Sequence, residues 1–171
     1  KENCFKGFKA YLVALLLRSQ ILAVEKNMPS IEKSAIVSYS AEQMFNLVND
    51  IDSYPEFVPG CADSRVVEQN GDYKVASLQI SKAGIQKTFT TRNRLVKPER
   101  IDMELVDGPF KKLTGGWVFK PLSDDACKVE LKLDFEFSSR LLGMAFGKIF
   151  SEVTSKMVDA FVKRADQVYG S

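Results

Sequence analysis

Histidine is absent from this 171-residue chain, and its absence removes Ser-His and Cys-His nucleophile pairs, imidazole acid/base work and the commonest metal ligand. A conventional hydrolase is thereby disfavoured. The glycines form neither GxxxxGK[ST] nor GxGxxG, so the usual phosphate cradles are missing as well. The three cysteines, Cys4, Cys61 and Cys127, are odd in number and widely spaced, without CxxC or a zinc-ligand pattern. That usage argues against a disulfide framework or a metal site and leads us to expect a reducing, cytoplasmic setting. A formal net charge of +2 places no global demand for a nucleic-acid partner and leaves local patches to be judged singly. No apolar run is long enough to span a bilayer.

What remains is the composition of an ordinary globular domain, 45% hydrophobic and 27% charged, with a length that fits one domain. Residues 1–27 differ from the rest. They start Lys-rich, continue with Tyr11-Leu-Val-Ala-Leu-Leu-Leu17 and end before Met28-Pro29. The stretch has no small-residue cleavage pattern. We expect an extension outside a domain of residues 28–171, with a basic amphipathic helix touching a membrane transiently as the alternative.

From Ile31 the pattern turns regular. Ile31 to Tyr39 is rich in β-compatible residues, and Ser40-Ala-Glu-Gln43 is a capping-box signature ahead of Met44, Phe45, Leu47 and Val48. Tyr54-Pro55-Glu56-Phe57-Val58-Pro59-Gly60-Cys61 follows, with two prolines and a glycine in apolar company, which predicts an inward-packed loop or short helix serving as a lid or a buried connector. Five further strand-like runs are then expected, with turns at Asn70-Gly71-Asp72, Lys82-Ala83-Gly84, Pro98-Glu99, Asp107-Gly108-Pro109 and Ser123-Asp124-Asp125. The Asp124-Asp125 pair reads as a solvated hairpin tip. Val129, Leu131, Leu133, Phe135 and Phe137 alternate with charged residues, so one sheet face is wet and the other apolar.

The apolar face needs a cover, and the C-terminus supplies one. Ser138-Ser139 can cap a helix from about Arg140 to Tyr169, in which Leu142, Phe146, Ile149, Phe150, Val153, Met157, Phe161, Ala165 and Val168 recur at three- and four-residue steps. At about 1.5 Å per residue it is roughly 40 Å long. The segment Asp107-Gly108-Pro109-Phe110-Lys111-Lys112-Leu113-Thr114-Gly115-Gly116-Trp117-Val118-Phe119 gathers bulky apolar groups, including the sole tryptophan, where a sheet face meets a turn. Such a cluster is either plain core or the lining of a cavity. Thr91 and Asn93 share the strand parity of Phe89 and Leu95 and turn inward with them unless a bulge intervenes.

The order strand, short helices, antiparallel meander and long C-terminal helix predicts an α+β fold. From Met28 onward the chain resembles the ribosome-association toxin and coenzyme Q-binding branch of the START-like, polyketide cyclase-related superfamily. The resemblance rests on Tyr39-Ser40-Ala41-Glu42-Gln43-Met44-Phe45, on Tyr54 to Cys61, on Ser81-Lys82-Ala83-Gly84-Ile85 with Lys87-Thr88-Phe89-Thr90-Thr91-Arg92-Asn93, on Asp107 to Leu122, and on Leu133-Asp134-Phe135-Glu136-Phe137. It implies a helix-grip fold, in which a curved antiparallel sheet wraps a long C-terminal helix, with two short helices after the first strand. It further implies a cavity for a hydrophobic ligand such as ubiquinone or another prenyl lipid, no required cofactor, and, for the toxin branch, binding to the large ribosomal subunit that blocks subunit association.

Residues for each role can be named. For a cavity they are Phe57 and Val58 in the loop, Phe110, Leu113, Trp117 and Phe119 around the signature turn, and Phe146, Phe150, Val153 and Met157 on the helix, with Thr91 and Asn93 as polar ligand contacts. For ribosomal phosphates they are Arg92 and Arg94 on one hairpin and Lys111 and Lys112 in the signature turn, beside Lys82, Lys87 and Arg100; the same cations also read as a solvated face. A lipid or quinone chaperone without a ribosomal role is the alternative. A cyclase or aromatase comes last, since the inward positions are apolar and Tyr39, Tyr54, Tyr73 and Arg92 form no evident catalytic constellation.

Overall fold

The computed structural model describes residues 29–170, so the expected extension of residues 1–27, with Cys4, lies outside the described residues. Strand β1 (Ser30–Val37) leads into helix α1 (Ala41–Asn49), a 3-10 turn (Ile51–Ser53) and the single-turn helix α2 (Tyr54–Phe57). Six strands follow: β2 (Cys61–Asn70), β3 (Tyr73–Lys82), β4 (Ile85–Val96), β5 (Arg100–Asp107), β6 (Phe110–Ser123) and β7 (Ala126–Phe137). Helix α3 (Arg140–Tyr169) closes the chain. The strands form one seven-stranded antiparallel sheet in the order β1-β7-β6-β5-β4-β3-β2, a meander with β1 returned to its far edge.

The local signals act as expected at both long-range anchors. Ser40 accepts from Gln43 N at 3.1 Å and the Gln43 side chain accepts from Ser40 N at 2.8 Å, completing the capping box of α1. Ser139 caps α3 by accepting from Leu142 N at 3.2 Å. One strand more than expected is present. β2 escaped the alternation argument because it is an edge strand with irregular register between Cys61 and Asp63 and between Val66 and Glu68, and most of its residues are exposed. A bulge shifts every later side chain to the other face, so a strand with two of them shows no continuous alternation.

Two aromatic-rich clusters fill the space between sheet and helix. One joins Met44, Phe45 and Val48 of α1 to Trp117, Phe119, Val129, Leu131 and Phe161. The other joins Phe89, Phe110, Leu113, Phe135, Phe146 and Phe150. The helical stripe is that expected except at its last member: Val168 is half exposed, because the final turn of α3 extends past the sheet and is held instead by Tyr39, whose ring lies 5.9 Å from that of Tyr169.

In the middle of β6, Gly115 and Gly116 have φ of 136° and 153° while staying in register with β5 and β7. A Cβ on Gly115 would stand 2.0 Å from Lys132 O and one on Gly116 2.0 Å from Ile101 O. Both backbone angles and both neighbours therefore demand glycine. Gly116→Ala is expected to lower unfolding stability by about 3 kcal/mol, read from urea midpoints; a change within about 0.5 kcal/mol would show that the strand accommodates a side chain there.

Candidate functional site: an apolar cavity under the long helix

Between the two clusters the packing is incomplete, leaving a cavity of about 60 Å³. Its floor is the concave face of β3 to β7, its roof is the stretch Phe150 to Met157 of α3, and its end is closed by α1, the 3-10 turn and α2. The lining is almost wholly apolar. A cavity this size holds a few waters, whereas sites for drug-sized ligands run to about 300–1,000 Å³, so a large ligand enters only if the walls part.

Strand parity sends Thr91 and Asn93 into this space, 3% and 5% exposed. The register of β3 with β4 is unbroken from Tyr73↔Arg94 to Lys82↔Ile85. The irregularity beside Thr90 and Thr91 is borne by β5, where Asp107 and then Leu105 face them, so the extra residue is Val106 and β4 keeps its alternation. Thr91 Oγ1 donates to Asn93 Oδ1 at 2.9 Å. That leaves the amide NH2 of Asn93 as the donor end of the pair. Asn49, at the last turn of α1, also borders the cavity; among the described residues its Oδ1 is buried without a hydrogen-bond partner, while its carbonyl accepts from Lys74 Nζ at 3.0 Å.

Of the residues named from sequence, Val58, Trp117, Phe150, Val153 and Met157 line the cavity together with Thr91 and Asn93. The other five pack elsewhere, each for a visible reason. Phe57 turns outward and lies edge-on to Phe161 at 5.0 Å beneath the Arg164 guanidinium at 5.1 Å. Phe110 stacks on Phe137 at 5.0 Å, because a register shift between Phe110 and Lys112 places it beside the sheet's end. Leu113 and Phe146 fill that same second cluster. Phe119 faces inward but meets the Phe45 ring of α1 at 5.7 Å, which leaves it no free surface.

Several lining residues went unnamed from sequence. Leu78 and Ile80 on β3, Leu95 on β4, Ile101 and Met103 on β5 and Leu131 on β7 complete the floor. Their alternation was legible, but nothing in it separates a residue that touches a void from one that touches a neighbour.

The segment Tyr54 to Cys61 forms the wall itself. Tyr54 is buried, donates to the Val48 carbonyl, and meets the Phe161 ring at 5.1 Å; burial pushes its phenol far above the ordinary value. Burial likewise raises the Cys61 thiol. Both groups thus stay neutral, and the cavity presents hydroxyl and amide groups in place of charges. The seam between this wall and the helix is tight, since a Cβ on Gly60 (φ +84°) would stand 2.7 Å from Val153 Cγ2.

Outside that seam, Glu152 takes Lys82 at 2.6 Å and Lys156 at 2.8 Å, strapping α3 to the end of β3. Hydrogen bonds from the two ammonium groups hold the Glu152 carboxyl well down, from 4.5 to about 2.

A family model described as polyketide cyclase / dehydrase and lipid transport matches residues 37–162, from the end of β1 into α3. The chain belongs to this family. It is 62% identical over 143 residues to a protein of Vibrio cholerae serotype O1 named ribosome association toxin RatA, covering 84% of this chain and 99% of that one. It is 30% identical to the mitochondrial coenzyme Q-binding protein COQ10 homolog B of Xenopus laevis, covering 81% of this chain and 58% of the relative. Among solved structures, the Zhui aromatase/cyclase of Streptomyces sp. R1128 superposes with a TM-score of 0.72 at 18% identity, over 82% of this chain and 95% of that one. That likeness is one of fold: a START-like sheet gripping a C-terminal helix. Among the described residues no helix is long and apolar enough to cross a membrane.

The Glu152 strap makes a pH-dependent contribution of known sign. A carboxyl whose folded pKa lies below its unfolded value stabilises above the unfolded value and loses that stabilisation as pH falls through the folded one. Glu152→Gln is therefore expected to lower the melting temperature at pH 6 and to have no effect near pH 2, with the difference shrinking between about pH 4.5 and 2 and in high salt. Parallel melting curves for both proteins across that range are the measurement.

Proposed function

We propose that this protein is a non-enzymatic binding protein that holds a hydrophobic, carbonyl-bearing ligand of the prenylated quinone type between sheet and helix, and that it also associates with the large ribosomal subunit so as to block subunit joining. The observation carrying the first half is the Thr91–Asn93 pair, a hydrogen-bonded polar couple buried in a mostly apolar cavity. An apolar lining supplies affinity through desolvation, and a single donor pair orients a ring carbonyl. The name of the coenzyme Q-binding relative supports this ligand class. Neutral Tyr54 and Cys61, with no carboxylate or imidazole in the lining, offer no acid/base pair for a cyclase reaction.

The ribosomal half is supported by the name of the Vibrio cholerae relative and by cations on the convex face. Arg92, Arg94, Lys111 and Lys112 are all exposed. They are interleaved with carboxylates: Arg92 stands across from Glu104 and Arg94 from Asp102, and Lys111 pairs with Glu136 at 3.0 Å. Phosphate binding there exchanges partners on a mixed surface, which favours a salt-sensitive, moderate contact.

The two halves are separable by experiment. Trp117, the sole tryptophan, borders the cavity and reports ligand entry by fluorescence quenching. Replacing Thr91→Val and Asn93→Leu together removes donor and acceptor at once, so the fold is retained. Affinity for a short-chain ubiquinone should fall about tenfold, the worth of one hydrogen bond at roughly 1.5 kcal/mol. Equal affinity of variant and wild type would refute the orienting role. The fourfold variant Arg92→Gln, Arg94→Gln, Lys111→Gln, Lys112→Gln should keep quinone binding while lowering and flattening the salt dependence of large-subunit association in sedimentation profiles; an unaltered profile would move the ribosomal surface elsewhere.

A further inference from the structure

The first two turns of α3 carry an apolar surface that the fold does not use. Leu141 and Met144 are 77% and 76% exposed, more so than any other large hydrophobic residue among those described, and they sit one turn apart on one side of the helix. Ala145 beside them is exposed too. The opposite side of the same turns is pinned to the sheet, where Gly143 and Gly147 lie so close to Phe137 that an added Cβ would meet its ring at 3.3 Å. The exposed side is therefore a fixed platform.

Its surroundings are cationic. Arg140 and Lys148 flank the two side chains along the helix and are exposed. The start of β6 lies alongside, since Ser138 N donates to Pro109 O at 3.0 Å and Phe110 pairs with Phe137, and this brings Lys111 and Lys112 to the same end of the molecule. Lys111 is paired with Glu136 at 3.0 Å, while among the described residues Arg140, Lys148 and Lys112 make no salt bridge. Three cations without an ion pair leave a positive rim around the apolar tips.

We propose that this end of the protein docks onto an anionic lipid bilayer, with Leu141 and Met144 seated at the headgroup–acyl boundary and the cations on lipid phosphates. Two exposed apolar side chains bind a membrane only weakly by themselves, while each Lys or Arg close to an anionic leaflet adds roughly a fivefold gain in partitioning. The charge complementarity selects a negatively charged lipid surface over a neutral one. The docking face belongs to the helix whose other side, at Phe150, Val153 and Met157, roofs the cavity, so seating the first turns brings the cavity's cover to the bilayer. The proposal stands whether or not a quinone is the ligand.

Vesicle flotation of the full chain is the test, using phosphatidylcholine vesicles with and without about one third phosphatidylglycerol. Wild type is expected to float with the anionic vesicles and not with the neutral ones. Leu141→Ser with Met144→Ser should cut that binding at least tenfold at unchanged melting temperature, both side chains being exposed, and Arg140→Gln with Lys148→Gln should cut it several-fold. A third variant, Leu15→Asp with Leu16→Asp, places charges in the N-terminal apolar run and should bind as wild type does. Absence of flotation by wild type, equal binding to neutral vesicles, or loss in the third variant with none in the first would each overturn the proposal.

Discussion

The apolar stripe of α3 can be hidden only by a sheet that bends around it, and that requirement governs the rest of the structure. A helix of 30 residues outruns the width of a flat sheet's contact with it, so its stripe would be partly wet. At Gly115-Gly116, where side chains are forbidden by the carbonyls of Lys132 and Ile101, β6 keeps its pairing with β5 and β7 in a backbone conformation that only glycine adopts readily. Each large side chain buried between sheet and helix is worth about 2 kcal/mol. A curved wall meeting a straight rod cannot be filled evenly. It packs densely where aromatic rings are available, around Trp117 and Phe161 and again around Phe110 and Phe150, and leaves its void between them.

That origin accounts for the character of the site. The cavity is a by-product of curvature lined by whatever the strand alternation presents, which is why it is mostly apolar, with polar members at Thr91 and Asn93 on β4, Asn49 on α1 and Thr154 on α3. At about 60 Å³ it is smaller than the sites of drug-sized ligands, so the proposed ligand would require the roof to lift. The roof is seated by Val153 against Gly60 and strapped by Glu152 to Lys82, one contact apolar and the other ionic, adjacent in sequence. Helix α3 therefore combines the cavity roof, the clasp at its mouth and the exposed apolar platform at its start.

The fold is shared by a protein named as an aromatase/cyclase and by one named as coenzyme Q-binding, so what a given chain does with it has to lie in the side chains that the sheet exposes to the void. Here those are amides and hydroxyls, with the phenol and thiol held neutral by burial. The convex face follows separate rules. It alternates Arg92 with Glu104 and Arg94 with Asp102 across neighbouring strands, an arrangement that satisfies an antiparallel sheet locally and weakens any field aimed at a polyanion.

Much of this was legible in the residues. The β7 alternation, the α1 capping box, the Ser139 cap and the three- and four-residue steps of α3 report local geometry, and each matches the structure because period and hydrogen-bond chemistry are properties of neighbouring residues. The inward parity of Thr91 and Asn93 was legible too, but only conditionally: whether the bulge fell on β4 or on β5 is decided by pairing between strands. The edge strand β2, bulged twice and buried only at Cys61 and Ser64, left no clean alternation to be counted. Phe110, Leu113, Phe119 and Phe146 carry the same apolar signal as Trp117 and Phe150, yet the first four meet other rings or are enclosed by the second cluster while the last two border the void. The sequence by itself determined which face of β7 and which stripe of α3 are apolar, and where the capped helices α1 and α3 begin. Only the tertiary structure decided which of those apolar side chains face a cavity, because a void is set by the distance between a bent sheet and a helix, and neither distance nor curvature is encoded in the spacing of residues along one strand.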